Sequence, residues 1–155
     1  MSAPKSIVKL SKNGVEYTSS VDKCQYYIFE LSRRALMDVG RYVTRVFADS
    51  YYSIFKKHGG KARRSIRYRV FSSKNTLYPR VEIGLKNTQT GFYSMFQEFG
   101  SSKTKKYGLL TKSVEDNIAK IVEIESQYLS SLEDEAKALS LVESENDYEG
   151  GGDDE

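Results

Sequence analysis

Apolar residues recur at intervals of three or four from residue 21 to residue 57, and this spacing predicts a long amphipathic helix. Ser20 is placed to cap its start, and Gly59-Gly60 to end it. At about 1.5 Å per residue a continuous helix would extend roughly 55 Å, so a break near Gly40 or Ser50 is an alternative. The apolar stripe consists of Cys24, Ile28, Leu31, Ala35, Val39, Val43, Val46 and Ile54.

A second helix is predicted from about residue 110 to residue 142. Its later half is charged around a narrow apolar seam, a pattern typical of a helix that packs against another helix or another subunit. Residues 143–155 follow, with many acids and three consecutive glycines. Such a segment buries too little apolar surface to offset chain entropy, so this acidic tail is predicted to be disordered.

Alternation of apolar and polar residues predicts two antiparallel strands between the helices, in residues 64–71 and 77–86. Near the N-terminus, Asn13-Gly14 separates two short apolar runs and favours a tight turn, because both residues accept positive φ. Residues 1–20 are therefore expected to form a hairpin, or an arm that becomes ordered against a neighbouring subunit. The predicted fold is α+β, with a small antiparallel sheet packed against a long N-terminal and a long C-terminal helix in one domain over residues 21–142.

Length and hydropathy limit the class of protein. The 155 residues suit one domain, since domains usually hold roughly 100 to 150 residues. No apolar run approaches the roughly 20 residues of a membrane span, and the first residues lack the apolar core of a secretory signal. We expect a protein with no membrane partner that is made in the cytoplasm.

Charge is distributed unevenly along the chain. Residues 143–155 carry seven acids and no base, and removing these seven charges from the net +3 leaves +10 for residues 1–142. Residues 50–81 contain nine lysines and arginines but no acid. A polyanion or an acidic protein surface is the expected partner.

Candidate catalytic chemistry is sparse. Cys24 is the one cysteine and His58 the one histidine, which excludes an intrachain disulfide and leaves little material for a metal site. We expect Cys24 to be a small buried residue and His58 to lie at a helix end. No nucleophile and base pair and no phosphate-binding loop can be assembled, so no enzyme, cofactor or metal is predicted.

The aromatic segment of residues 92–103 reads FYSMFQEFGSSK and fits a short helix or a strand. It resembles a motif of the head-tail joining (neck and tail-completion) proteins of long-tailed double-stranded DNA bacteriophages. The resemblance covers roughly residues 24–125, and the family usually reads Glu-Phe-Gly-Thr-Ser-Lys where this chain has Glu-Phe-Gly-Ser-Ser-Lys. The matching motif residues are Tyr93, Phe96, Glu98, Phe99, Gly100, Ser101, Ser102 and Lys103, with Gly60, Arg64, Ser65 and Ile66 at the start of the first strand.

Physical roles can be expected for several motif residues. Phe96 and Phe99 would anchor the segment in the core, and Gly100 would allow a sharp exit into the following loop. The chain departs from the family after Lys103, where a proline-rich stretch leading to Pro-Phe-Leu is usual and residues 104–110 read TKKYGLL. Tyr107 and Leu109 would then fill similar packing positions.

The resemblance implies a structural virion protein at the phage neck, with no reaction and no cofactor. Copies would form a ring, six-fold on the tail side, that joins the DNA-filled head to the tail or completes the tail end. Its partners would be the head connector and tail tube proteins, with non-specific contact to DNA in the channel. A basic face would meet that DNA or an acidic partner patch, unless it is a solvated strand face; its candidates are Lys61, Arg63, Arg64, Arg67, Arg69, Lys105 and Lys106.

Two other functions compete with this interpretation. A basic nucleic-acid-binding module could follow a phosphate backbone with its positive charges and stack bases on Tyr68 and Phe71. An enzyme could use Glu98 as a general acid or base, but the sequence offers no second polar partner. We expect Glu98 instead to cap a helix or pair with a nearby backbone or basic group.

Overall fold

A computed structural model describes residues 7–12, 15–55, 65–72, 78–86, 89–134, 137–138 and 140–141. Within these residues the chain forms two β-hairpins and several helices, and the predicted α+β fold is confirmed. The acidic tail of residues 143–155 lies outside the described residues, as does His58. No helix in the described part of the chain is long and apolar enough to cross a membrane.

The predicted N-terminal hairpin is present. Strand β1 spans Ile7–Lys12, strand β2 spans Val15–Ser19, and the two pair antiparallel with a register shift between Val8 and Leu10. The Asn13-Gly14 turn itself lies outside the described residues.

Helix α1 spans Val21–Ile54 without interruption, so a break at Gly40 or Ser50 does not occur. Ser20 occupies the N-cap position, although its side chain makes no capping hydrogen bond. Gly40 is needed for packing, because a Cβ built there would lie 2.6 Å from Cδ2 of Tyr68 on the sheet. The absence of a side chain at this position lets the helix and the sheet approach closely.

The second hairpin packs against α1. Strand β3 spans Ile66–Phe71, strand β4 spans Arg80–Leu85, and they pair antiparallel throughout. Both are shorter than the predicted ranges, yet the alternation is as predicted. Apolar residues such as Ile66 are buried or half-buried towards α1, and Arg67 and Arg69 are exposed on the opposite face.

Helix α2 spans Gln89–Phe99, which decides the aromatic segment in favour of a helix. The predicted C-terminal helical region is present, but its continuity from residue 110 to residue 142 is wrong. The chain instead forms α3 over Leu109–Glu115, α4 over Ile118–Ser130 and a 3₁₀ turn over Ser131–Glu133. Further helical residues lie at 137–138 and 140–141.

The break between α3 and α4 has a local cause and a tertiary one. Asn117 leaves helical geometry with φ −120° and ψ 15°, and it stands at the N-cap of α4, a position that asparagine favours. Its side-chain Nδ2 donates to the carbonyl of Ser113 at 3.1 Å, and its Oδ1 accepts a hydrogen bond of 2.6 Å from the hydroxyl of Tyr42 on α1. The kink is therefore tied to the helix beneath it.

Two apolar clusters hold the helices together. One joins the second half of α1 to β3 and α3 through Phe47, Ala48, Tyr51, Ile66 and Leu109, with Tyr107 packed at its edge. The other joins the first half of α1 to the last helical residues through Tyr27, Leu31 and Ala138. The hydroxyl of Tyr128 also donates to the carboxylate of Asp38, which links α4 to α1.

Part of the predicted apolar stripe on α1 is not buried. Cys24 is exposed, which corrects the expectation of a buried cysteine, and Ile28 and Ile54 are also exposed. Near the start of α1 the C-terminal helical residues cover the side that bears Tyr27 and Leu31. The apolar stripe of the long helix is thus covered on one side only at these positions.

Candidate protein-interaction surface

Helix α2 presents its polar side to the protein. Ser94 is buried, and its Oγ lies 3.2 Å from the hydroxyl of Tyr51 on α1. That same hydroxyl donates a hydrogen bond to the side-chain oxygen of Gln97. Ser94 and Gln97 are three residues apart and so share one face of the helix. A small polar network therefore attaches α2 to the long helix.

The exposed surface of α2 carries five large apolar side chains, which we call the aromatic ridge. Their exposed fractions are 58% for Phe92, 68% for Tyr93, 57% for Met95, 37% for Phe96 and 71% for Phe99. The expectation that Phe96 and Phe99 anchor the segment in the core is therefore wrong. An apolar stripe usually faces the core, but here the hydroxyl of Tyr51 forms hydrogen bonds with Ser94 and Gln97, so the polar side of α2 faces the protein.

A groove of about 470 Å³ runs beside the ridge. One wall is formed by α2 with Met95 and Phe99, and the other by β4 and the start of α3, which contribute Leu85 and Leu110. Phe47 and Tyr51 are among the α1 residues that line it. The ridge and the groove together form a continuous, mostly apolar surface.

Glu98 stabilises the neighbouring helix, as expected from the sequence. Its carboxylate accepts hydrogen bonds from the backbone N–H of Leu110 at 2.9 Å, the N–H of Thr111 at 3.0 Å and the Thr111 hydroxyl at 2.7 Å. Partial burial raises the pKa of Glu98, but hydrogen bonds from Thr111, Leu110 and Leu109 outweigh it, and the pKa lies below the ordinary value of 4.5. Glu98 is thus an ionised cap of α3.

The rest of the motif forms the connection between α2 and α3. Gly100 has φ +83° and ends α2 with the sharp exit predicted for it, its N–H donating to the carbonyl of Phe96 at 2.8 Å. Ser101 and Thr104 exchange backbone hydrogen bonds of 2.9 and 3.3 Å across a tight turn that contains Ser102 and Lys103. The N–H of Tyr107 then donates to the carbonyl of Gln97. The motif therefore sets the angle at which the ridge is presented.

The candidate basic residues fall into separate places. Arg67 and Arg69 are exposed on the outer face of β3, and Lys105 and Lys106 are exposed in the loop after α2. Lys61, Arg63 and Arg64 lie outside the described residues, as does Gly60, whereas Ile66 begins β3 and Ser65 directly precedes it. The structure thus describes two basic patches, one on the sheet and one beside the ridge.

The aromatic residues proposed for base stacking are already engaged. The ring of Phe71 contacts two guanidinium groups, with Arg69 at 4.8 Å and Arg80 at 5.0 Å from its centre. Tyr68 points to the other face, where its ring covers Gly40 of α1. The outer face of the hairpin is consequently a surface of charge, without an uncovered aromatic ring among the described residues of β3.

A second apolar surface lies on the C-terminal helices, and sequence reasoning noted it only as a seam. Ile118, Val122, Leu129 and Leu132, which we call the C-terminal seam, are 38–55% exposed. No residue of α4 is buried, and Tyr128, on another side of the helix, makes the contact with α1. The seam is thus available to another molecule.

Metal chemistry finds no support in the described residues, where no group of three histidine, cysteine, aspartate or glutamate side chains could hold an ion. In comparisons of the chain with protein-family models, curated proteins and solved structures, nothing matched. Function must therefore be argued from the surfaces.

Proposed function

We propose that this chain is a structural protein of the neck of a long-tailed bacteriophage, and that its copies form a ring that joins the DNA-filled head to the tail or completes the tail end. The observation that carries the proposal is the orientation of α2, whose polar side faces the protein and whose aromatic ridge faces outward. The ridge belongs to the segment that resembles the head-tail joining family.

The size of the ridge supports an assembly role. The five side chains together expose almost the area of three complete side chains, which amounts to roughly 500 Å² if a large side chain has about 150–250 Å². The largest apolar patch on a typical monomer is about 300–600 Å² and often functional. The ridge alone thus supplies more than half of the roughly 800 Å² that each partner contributes to a stable interface.

In this proposal the chain is not an enzyme, and its work is binding. The ring would contact the head connector on one side and the tail tube on the other. Arg67 and Arg69 would face DNA in the channel or an acidic patch of a partner ring, where exposed positive charge gives orientation and fast association.

The decisive experiment deletes the gene from the phage that encodes it and examines the lysate by electron microscopy. We expect DNA-filled heads and separate tails, and overlong tails would indicate tail completion. Wild-type protein supplied in trans should restore joined particles, whereas Phe92→Ser/Phe99→Ser should not. Tyr78→Ser is the matched control, because Tyr78 is 81% exposed and lies outside the ridge. Intact infectious particles from the deletion would reject the proposal.

A nucleic-acid-binding module is the second candidate, favoured by Arg67, Arg69 and Arg80 on one face of the hairpin. It is weakened by the positions of Tyr68 and Phe71, neither of which presents an uncovered ring to a base. Fluorescence anisotropy with short DNA at several salt concentrations separates the two. Tight binding at low salt with a steep salt dependence would favour this second candidate.

A further inference from the structure

We propose that the ring closes through two different surfaces of the same chain: the aromatic ridge of one copy docks on the C-terminal seam of the next copy. This inference rests on the proposed function in that it assumes a ring, and it names the partner of the ridge as a second copy of this chain.

The shapes of the two surfaces suit each other. Ile118, Val122 and Leu129 recur at helical spacing and continue into Leu132, so the seam is a narrow apolar row along one side of α4. The ridge, in contrast, borders a groove of about 470 Å³. A helix that lays an apolar row into a neighbouring groove is a common mode of protein recognition.

The charges around the two surfaces are opposite. Residues 115–134, which contain the seam, carry six acids and one base, Lys120, and that lysine pairs with Glu123 at 2.7 Å. Residues 83–114, which contain the ridge, carry five lysines and one acid, Glu98, whose carboxylate is occupied by the N-terminus of α3. Lys103, Lys105 and Lys106 are exposed at the end of the ridge. Opposite charges around the two surfaces favour docking of the ridge on the seam, whereas like charges disfavour docking of one seam on another.

The same charges argue against the chain's own acidic tail as the occupant of the seam, and so for the ridge of a second copy. The acidic tail of the chain has seven acids in residues 143–155 and would be repelled from the acidic flanks of its own seam. Two copies that meet through different surfaces form a heterologous contact, which leaves one ridge and one seam open. Repetition of such a contact closes a ring when the rotation permits, as a neck protein requires.

Cross-linking tests the pairing directly. In a Cys24→Ser background, Ser102→Cys places a thiol beside the ridge and Ser126→Cys places one beside the seam, both at exposed serines. The full-length double variant is treated with a short bis-maleimide, first as concentrated purified protein and then in phage particles assembled with it after deletion of the gene. The matched control combines Ser102→Cys with Ser72→Cys, since Ser72 is exposed at the end of β3.

We expect a ladder of multimers from the double variant, dimers alone from a mixture of the two single variants, and no ladder from the control. Replacing Lys103, Lys105 and Lys106 with glutamate should reduce the cross-linked fraction at least about tenfold, the effect of roughly 1.4 kcal/mol. Glu123→Lys in the neighbouring copy should partly restore it.

Three results would overturn the inference. They are dimers of Ser102→Cys alone, cross-links only within one chain, or no ladder in either preparation. Infectious particles without a ladder would overturn the ridge-to-seam pairing while the neck role stands. A ladder from purified protein combined with a deletion that leaves phage intact would support the pairing and reject the neck role.

Discussion

Replacing Glu98 with alanine removes a carboxylate that accepts three hydrogen bonds at the first turn of α3. Loss of a helix cap costs about 0.5–2 kcal/mol, and loss of a negative charge at a helix N-terminus costs about 0.3–1 kcal/mol. Because the carboxylate is only half-buried and water screens it, we take a total of about 2 kcal/mol. For a chain of 155 residues the melting temperature should fall by about 4–8 °C.

Glu98→Gln isolates the charge, since the amide keeps one oxygen that can accept a hydrogen bond. Its cost at pH 7 should be about 1 kcal/mol. The folded pKa of Glu98 is lower than the ordinary 4.5, so the stabilisation by the charge is complete above about pH 4.5 and is lost as the pH falls through the folded pKa. The difference between wild type and Glu98→Gln should therefore shrink progressively below about pH 4.5.

Differential scanning calorimetry of both proteins from pH 7 to pH 3 measures this difference. Glu115→Gln serves as the control, because Glu115 is an exposed carboxylate on the same helix, α3. That variant should change the stability by less than about 0.5 kcal/mol at every pH. A Glu98→Gln difference that stays constant down to pH 3 would show that the charge of the cap has no part in stability.

Two further substitutions test the packing around α1 by urea denaturation. Gly40→Ala forces a Cβ against the ring of Tyr68 and should cost about 1–3 kcal/mol despite the helix preference of alanine, whereas Gly84→Ala, with nothing within 4 Å of the new Cβ, should cost less than about 0.5 kcal/mol. Equal losses of stability in Gly40→Ala and Gly84→Ala would contradict the close approach of α1 to the ring of Tyr68. Tyr51→Phe should lose about 1 kcal/mol with its buried hydrogen bonds, and a double-mutant cycle with Gln97→Ala should show coupling of at least about 0.5 kcal/mol. If the effects of the two substitutions on stability are additive, the hydrogen bonds of Tyr51 do not attach α2 to α1.

Much of the local structure could be predicted from the sequence. Period-two alternation gave the β3–β4 hairpin, and helical spacing gave α1 with its start at Val21. These patterns succeed because each depends on which side of a single element is apolar. The break at Asn117 was missed, although Asp116-Asn117 is a local signal for a helix boundary. The break was missed because apolar residues continue at helical spacing on both sides of Asn117.

The candidate surface is the part that sequence reasoning assigned to the wrong side. Phe96 and Phe99 lie at helical spacing, and such a stripe is usually core. The segment contains both an apolar stripe and a polar pair, Ser94 and Gln97, and either could face inward. Tyr51, more than forty positions earlier in the chain, decides the matter by bonding the polar pair.

The amino-acid sequence by itself thus determined α1, the two hairpins and the uneven charge, because these depend on neighbours along the chain. It left the role of Glu98 open between a cap and a pairing partner, since the residues that Glu98 bonds lie twelve and thirteen positions further on. Only the tertiary structure decided that the aromatic side of α2 is exposed and that Cys24 lies outside the core. The physical reason is that burial depends on what packs against an element. The sequence of a helix with an apolar face and a polar face does not determine which face the rest of the protein will cover.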